Sequence, residues 1–364
     1  MEVESSKSGN WKHSLVYLAF ITLIIHLILH KHKLSGNDTV RVKRNPNLPL
    51  RFRYDGTFKI LQVADMHYGN GIMSRCRDVL DEEFPYCSDL NTTHFLNTLI
   101  LSENPDFIAF TGDNIFGPST ADAAESLLEA FGPAMESGLP WAAILGNHDQ
   151  ESTMNRAELM SLISLMDYSV SQTNPSAEGP TSSLKGSMMT DIDGFGNYNL
   201  RVYGAPGSHL ANSSIFNLLF LDSGDRAVVQ GVRTYGWIKE SQLRWVRGIS
   251  QRFQEAVACS SVNSGVLETL VSIGDVKAVF MGHDHTNDFC GNLDGIWFCY
   301  GGGIGYHGYG KAGWPRRARV ILAELGKGDK AWMGVERIKT WKRLDDEKLS
   351  KIDEQVLWDH RPSR

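Results

Sequence analysis

Four short clusters in this 364-residue chain combine acidic, amide and imidazole side chains with glycine: Asp65-Met66-His67, Gly112-Asp113-Asn114, Gly146-Asn147-His148-Asp149 and Gly282-His283-Asp284-His285. Carboxylate oxygens are hard donors and imidazoles borderline ones, a mixture suited to iron, zinc or manganese. Brought to one place, such a set would hold two cations about 4 Å apart, close enough to grip an anionic phosphoester together and to lower the pKa of a trapped water towards about 7. Any one of these residues alone reads as a surface or hydrogen-bonded side chain. The ordered set points to chemistry.

Each cluster follows an apolar run. Phe58–Ala64, Phe107–Thr111, Trp141–Leu145 and Lys277–Met281 read as strands that run directly into the four clusters. Helices are expected between them over Thr92–Glu103 and Ala121–Ser137, and this alternation predicts a layered α/β domain. In open α/β sheets functional groups gather beyond the carboxyl ends of strands, so the four clusters should converge. Glycine beside each lets the chain turn sharply there. Further strands are expected at Tyr198–Tyr203, Asn217–Leu221, Ile296–Tyr300, Val320–Leu325 and Trp332–Ile338, with helices at Trp237–Phe253 and Val266–Ile273. Residues 171–197, rich in Ser, Gly, Asn, Asp and Pro, read as a surface loop. His307 lies in a glycine-rich run after a strand and would border a phosphate pocket, although the run lacks the Gly-Lys-Ser/Thr ending of a P-loop.

D-x-H, G-D-N, G-N-H-D and G-H-D-H, in this order at strand ends, resemble the signature of the calcineurin-like metallophosphoesterases. Within them the chain is most similar to the plant purple acid phosphatases, in their short single-domain branch, over roughly residues 56–340. The resemblance implies an α/β fold, a four-layer α-β-β-α sandwich of two mixed sheets flanked by helices. It also implies two metal ions, iron with zinc, manganese or a second iron. Carried over residue by residue, Asp65, His67 and His285 bind the first ion, Asp113 bridges both, and Asn147 and His283 bind the second. His148 then lies beside the phosphate as the catalytic group, oriented by Asp149, and Asn114, His148 and His307 contact substrate.

Two departures qualify that pattern. Purple acid phosphatases take a tyrosine ligand three residues after the bridging aspartate, and Phe116 at that position has no donor atom. The family also places a second-metal histidine in a Val/Phe-His-x-Pro strand between G-N-H-D and G-H-x-H. Here His209 is the only histidine between Asp149 and Gly282, and it precedes the Asn217 strand. One core strand near residues 254–260 is therefore expected to be missing and the second ion's site weakened, with the Cys259 thiolate as a substitute ligand. The leading functional expectation is a phosphomonoesterase acting on a small phosphorylated substrate. A phosphodiesterase of nucleotides or lipids and a non-catalytic metal- or phosphate-binding relative are the other readings.

Lys7 and Lys12 precede an apolar run from Leu15 to Leu29, and His30-Lys31-His32-Lys33 follows, so residues 1–33 read as a signal peptide or signal anchor that engages a membrane. Residues 34–55 read as a linker, 56–341 as the metallophosphoesterase domain and 342–364 as a charged tail whose Lys342–Asp353 stretch is a solvated helix or frayed end. Sequons at Asn37, Asn91 and Asn212 agree with a secretory-pathway destination, whether extracellular, cell-wall, vacuolar or membrane-anchored. Cys76 with Cys87, and Cys290 with Cys299, are close enough to pair, which leaves Cys259 over. A net charge of −6 lacks the basic face that nucleic-acid binding needs, so no such partner is expected.

Overall fold

The computed structural model describes residues 15–24, 26, 43–174, 192–249, 264–329 and 331–360. The chain divides into two units, residues 1–43 and 44–364. In the first, residues 15–24 form helix α1. Among the described residues no helix is long and apolar enough to cross a membrane. Most of the expected signal segment, Asn37, Cys259 and the stretch 254–260 lie outside the described residues.

The second unit begins with β1 (Leu50–Arg51), β2 (Thr57–Val63), α2 (Asp89–Glu103), β3 (Phe107–Thr111), α3 (Ala123–Ala130), α4 (Gly132–Ser137), β4 (Trp141–Ile144) and α5 (Arg156–Leu165). It continues through β5 (Tyr198–Tyr203), β6 (Ser214–Phe220), β7 (Arg226–Val229), β8 (Val232–Tyr235), α6 (Glu240–Ile249) and α7 (Val266–Ile273). The remaining strands are β9 (Ala278–Met281), β10 (Cys290–Leu293), β11 (Ile296–Tyr300), β12 (Arg317–Lys327), β13 (Trp332–Leu344) and β14 (Lys351–Asp359).

Six strands form one mixed sheet in the order β14-β13-β12-β2-β3-β4, its β2, β3 and β4 parallel and the rest antiparallel. The parallel strands are apolar on both faces, as strands covered on both sides must be. Phe107, Ile108 and Phe110 of β3 are fully buried. One core joins this sheet to Phe95 and Leu99 of α2, Leu127 of α3, Leu159 and Ile163 of α5, and Tyr198 and Phe220 of β5 and β6. A second, smaller core places Leu243 and Val246 of α6 with Leu270 and Ile273 of α7 against Ile296 of β11. The order helix, sheet, sheet, helix follows from these two cores, and the expected α/β sandwich stands.

Several expectations need correction. The second layer is not one sheet: among the described residues it is two three-stranded mixed sheets, β1-β5-β6 and β10-β11-β9, with β6 and β9 both at edges. All four residues of β9, Ala278, Val279, Phe280 and Met281, are apolar yet only half-buried. An apolar run of this kind suits a strand flanked on both sides, and among the described residues β9 has a partner on one. The helix expected over Ala121–Ser137 is two, α3 and α4, because Pro133 cannot continue the turn before it. Part of the expected linker belongs to the domain: Leu50 and Phe52 are buried, and Phe52 packs against Phe58 and Phe216.

The charged stretch after Trp341 is no solvated helix. It completes β13, turns, and returns as β14, with Lys342 buried between Asp288 (2.9 Å) and Asp353 (2.5 Å). Two disulfides, Cys76–Cys87 and Cys290–Cys299, are as expected.

Candidate metal centre

The end of β2 and the end of β3 lie side by side. Backbone N–H groups of Asp65 and His67 donate to the carbonyls of Gly112 and Asp113 at 3.1 and 2.9 Å. The next turn, after β4, is tied in by the His148 N–H donating to Asp113 Oδ1 at 2.8 Å. The fourth, after β9, is tied in by the His283 N–H donating to the Asp65 carboxylate at 2.8 Å. Asp65, His67, Asp113 and His283 all hold left-handed backbone (φ 55°, 47°, 47° and 82°), a strained conformation for non-glycine residues that clusters at functional sites. Gly112 and Gly146 make the approach possible: a methyl on Gly112 would stand 3.0 Å from Gly146 Cα, and one on Gly146 would stand 2.2 Å from Asp113 Oδ1.

Two overlapping groups of donors result. Asp65, His67 and His285 form one, and His67, Asp113 and His148 the other, each with its ligand atoms within 4.8 Å of one another. His67 Nε2 is buried with no hydrogen-bond partner and lies 3.5 Å from Asp113 Oδ2. His285 gives its Nδ1 to the Tyr309 carbonyl at 2.8 Å, stacks on the Tyr309 ring and turns Nε2 towards Asp65. Asn147 is buried, and its amide nitrogen has no partner.

The electrostatics suit a cation. Burial, with the neighbouring Asp113 charge added, pushes the Asp65 carboxyl well above the usual carboxylate range. Burial and the nearness of His67 take His285 down to about 3, and burial likewise lowers His67 and His148, so the imidazoles are neutral and their lone pairs free. An orphaned ring nitrogen, neutral imidazoles and mutually repelling buried carboxylates are what a divalent or trivalent ion would relieve. The residues fit one such ion at Asp65, His67 and His285, with Asp113 beside His67 in the adjoining group. They do not equally fit a second: His283 is exposed, with its ring edge-on to Tyr235 at 4.4 Å, and stands in neither donor group.

Three expected roles change. The Asp149 carboxylate is not the partner of the His148 ring. It is fully buried and accepts from the N–H groups of Ile115 (2.9 Å) and Gly146 (2.7 Å), so it shapes the loop. The carboxylate on His148 Nδ1 is Glu151, at 2.5 Å, and Glu151 is itself ion-paired with Arg226. Asn114 is buried and donates to the Ile144 carbonyl (2.9 Å) and to Asp149 (3.3 Å), facing inward from any substrate. His307 spends both ring nitrogens on the protein, at the Arg75 carbonyl (2.6 Å) and the Ser119 hydroxyl (2.9 Å), and braces Phe116. Sequence reasoning missed Glu151 and Arg226. Only Gln230-Gly231 between two valine-containing runs signalled the β7–β8 hairpin that delivers Arg226.

This arrangement of carboxylates, amide and imidazoles beyond the strand ends is accompanied by a match to the calcineurin-like phosphoesterase family over residues 58–287, and the chain belongs to that family. It is 64% identical to a protein of Arabidopsis thaliana named "Probable inactive purple acid phosphatase 28", with 96% of this chain and 97% of that protein covered. It is 47% identical to "Probable inactive purple acid phosphatase 29" of the same plant, with 85% and 88% covered. The first alignment spans 388 positions against a chain of 364 residues, so at least 24 positions are gaps in this chain. A solved structure, a dimetal phosphatase from Danio rerio, is similar with a TM-score of 0.47 and 14% identity, over 83% of this chain and 99% of that one.

Proposed function

We propose that the chain binds phosphate monoesters at a metal centre and hydrolyses them. The observation that carries this reading is the burial of Asp65, His67, Asp113 and His285 around an unpartnered His67 nitrogen, with His148 beside them. When bound, a metal ion supplies Lewis acidity towards the phosphate and makes a water a usable nucleophile near neutral pH. The chain's own part is to hold that centre through Asp65, His67, Asp113 and His285 and to place His148 Nε2 at its edge. Fixed at Nδ1 by Glu151, His148 keeps Nε2 for the substrate, and in its imidazolium form it would donate there to a phosphate oxygen and pass that proton to the leaving alkoxide. Iron, zinc or manganese fits the O/N donor mixture.

A second reading, a non-catalytic relative that binds metal and phosphate, is favoured by the outward turn of His283 and the absence of the expected second-metal histidine. The word "inactive" in the names of the two plant relatives agrees with it. Elemental analysis of purified protein, with hydrolysis of 4-nitrophenyl phosphate in added iron, zinc or manganese, separates the two. Turnover that vanishes in Asp113→Ala supports the hydrolase. One ion or none per chain, and no turnover with any metal, rejects it in favour of the second reading. For location we propose the secretory pathway, a reading supported by the two disulfides and by the exposure of Asn212.

A further inference from the structure

Arg77 stands one aromatic ring away from His148. Its guanidinium carbon lies 4.8 Å from the centre of the Phe116 ring, and that ring lies 4.9 Å from the His148 ring. The backbone beneath it is fixed from three directions. Cys76, its neighbour, is disulfide-bonded to Cys87, the Arg77 N–H donates to the Tyr306 carbonyl at 2.9 Å, and the Arg77 carbonyl accepts from the buried Arg316 at 2.8 Å. The side chain itself is exposed, and among the described residues its guanidinium has no ion pair or hydrogen bond. The other arginines nearby are committed: Arg226 to Glu151, Arg316 to backbone carbonyls, Arg317 to Asp288.

An arginine that is pinned at its backbone, seated on an aromatic face and left with all its donors free is preorganised for an anion, because little freedom remains to be lost on binding. Phe116 matters here as a platform, since an aromatic face holds a cation without consuming any of its N–H donors.

We propose that Arg77 forms an anion-binding subsite at the mouth of the metal centre, and that it selects phosphate esters carrying a second anionic group, a carboxylate or another phosphate, on the alcohol portion. The subsite rests on the phosphoester reading of the centre, but it requires binding only and not turnover.

The test measures affinity by calorimetry in zinc-loaded protein, with phenylphosphonate and its 2-, 3- and 4-carboxy derivatives as stable probes. At least one carboxy isomer should bind about tenfold more tightly than phenylphosphonate, the scale of one charge-assisted arginine contact. In a folded Arg77→Gln variant that advantage should fall to within about twofold. If no isomer gains, or if the gain survives in Arg77→Gln, the subsite is rejected while the phosphoester reading stands. If phenylphosphonate and all its derivatives fail to bind, both are rejected together.

Discussion

His148 is held through side chains that reach beyond its own turn: its Nδ1 meets Glu151 three residues on, and Glu151 meets Arg226 on a separate hairpin. Glu151→Gln should therefore lower any phosphatase turnover by about 10- to 100-fold, the usual scale for losing a residue that orients a functional histidine. It should also shift the His148 ring-nitrogen NMR signals while leaving the unfolding temperature nearly unchanged. Asp149→Asn should do the reverse in stability, lowering the unfolding temperature, because the buried Asp149 carboxylate holds two backbone N–H groups. Asp65 makes a prediction of opposite signs. Buried against Asp113, its carboxylate is a liability without a cation, so Asp65→Asn should raise the unfolding temperature in chelator and abolish the rise that added metal gives the unchanged protein. The candidate ligands were legible because they follow strands in sequence. Arg226 was not, since a contact across 75 positions leaves no spacing to read, and Glu151, three residues after His148, stood behind the neighbouring Asp149 as its partner.

Glu103, at the end of α2, joins that helix to the main sheet: its buried carboxylate accepts from Lys59 of β2 (3.0 Å) and from Trp341 (3.2 Å) and Arg343 (2.5 Å) of β13. Glu103→Gln leaves two cations without a counter-charge and should cost about 2–4 kcal/mol in urea unfolding. Strands β2, β3 and β4 were readable as apolar runs because both faces are covered. The Lys342–Asp353 stretch was misread for the converse reason: Lys342 is buried but paired with Asp288 and Asp353, and a neutralised lysine in a strand looks like a solvated one in sequence. Pro133 was visible, yet its power to divide Ala121–Ser137 into two helices was underweighted. The expected loss of a second-metal strand falls at residues 254–260, outside the described residues; among the described residues β6 and β9 are sheet edges.

Across the molecule, pH enters through Asp89, buried at the start of α2, where it accepts from the Gly69 N–H at 2.8 Å. Burial pushes its carboxyl up to about 7 from an ordinary 3.8. Between those values the folded state binds more protons than the unfolded one, so this group's contribution to stability falls as pH rises and is lost through about pH 7. Unfolding temperature should accordingly be higher near pH 5 than near pH 8 by an amount that shrinks in Asp89→Asn, as calorimetry at the two values would read. Asp65, His67 and Asp113 extend from the six-stranded sheet, whereas His285 extends from the separate sheet containing β9. An ion gripped by Asp65, His67 and His285 is then a rivet between two bodies that share no strand pairing among the described residues. Chelation should loosen α6, α7 and β9 ahead of the rest, visible as faster amide hydrogen exchange in those segments alone. The metal would thus set how cooperatively the protein unfolds, even in a molecule that turns over nothing.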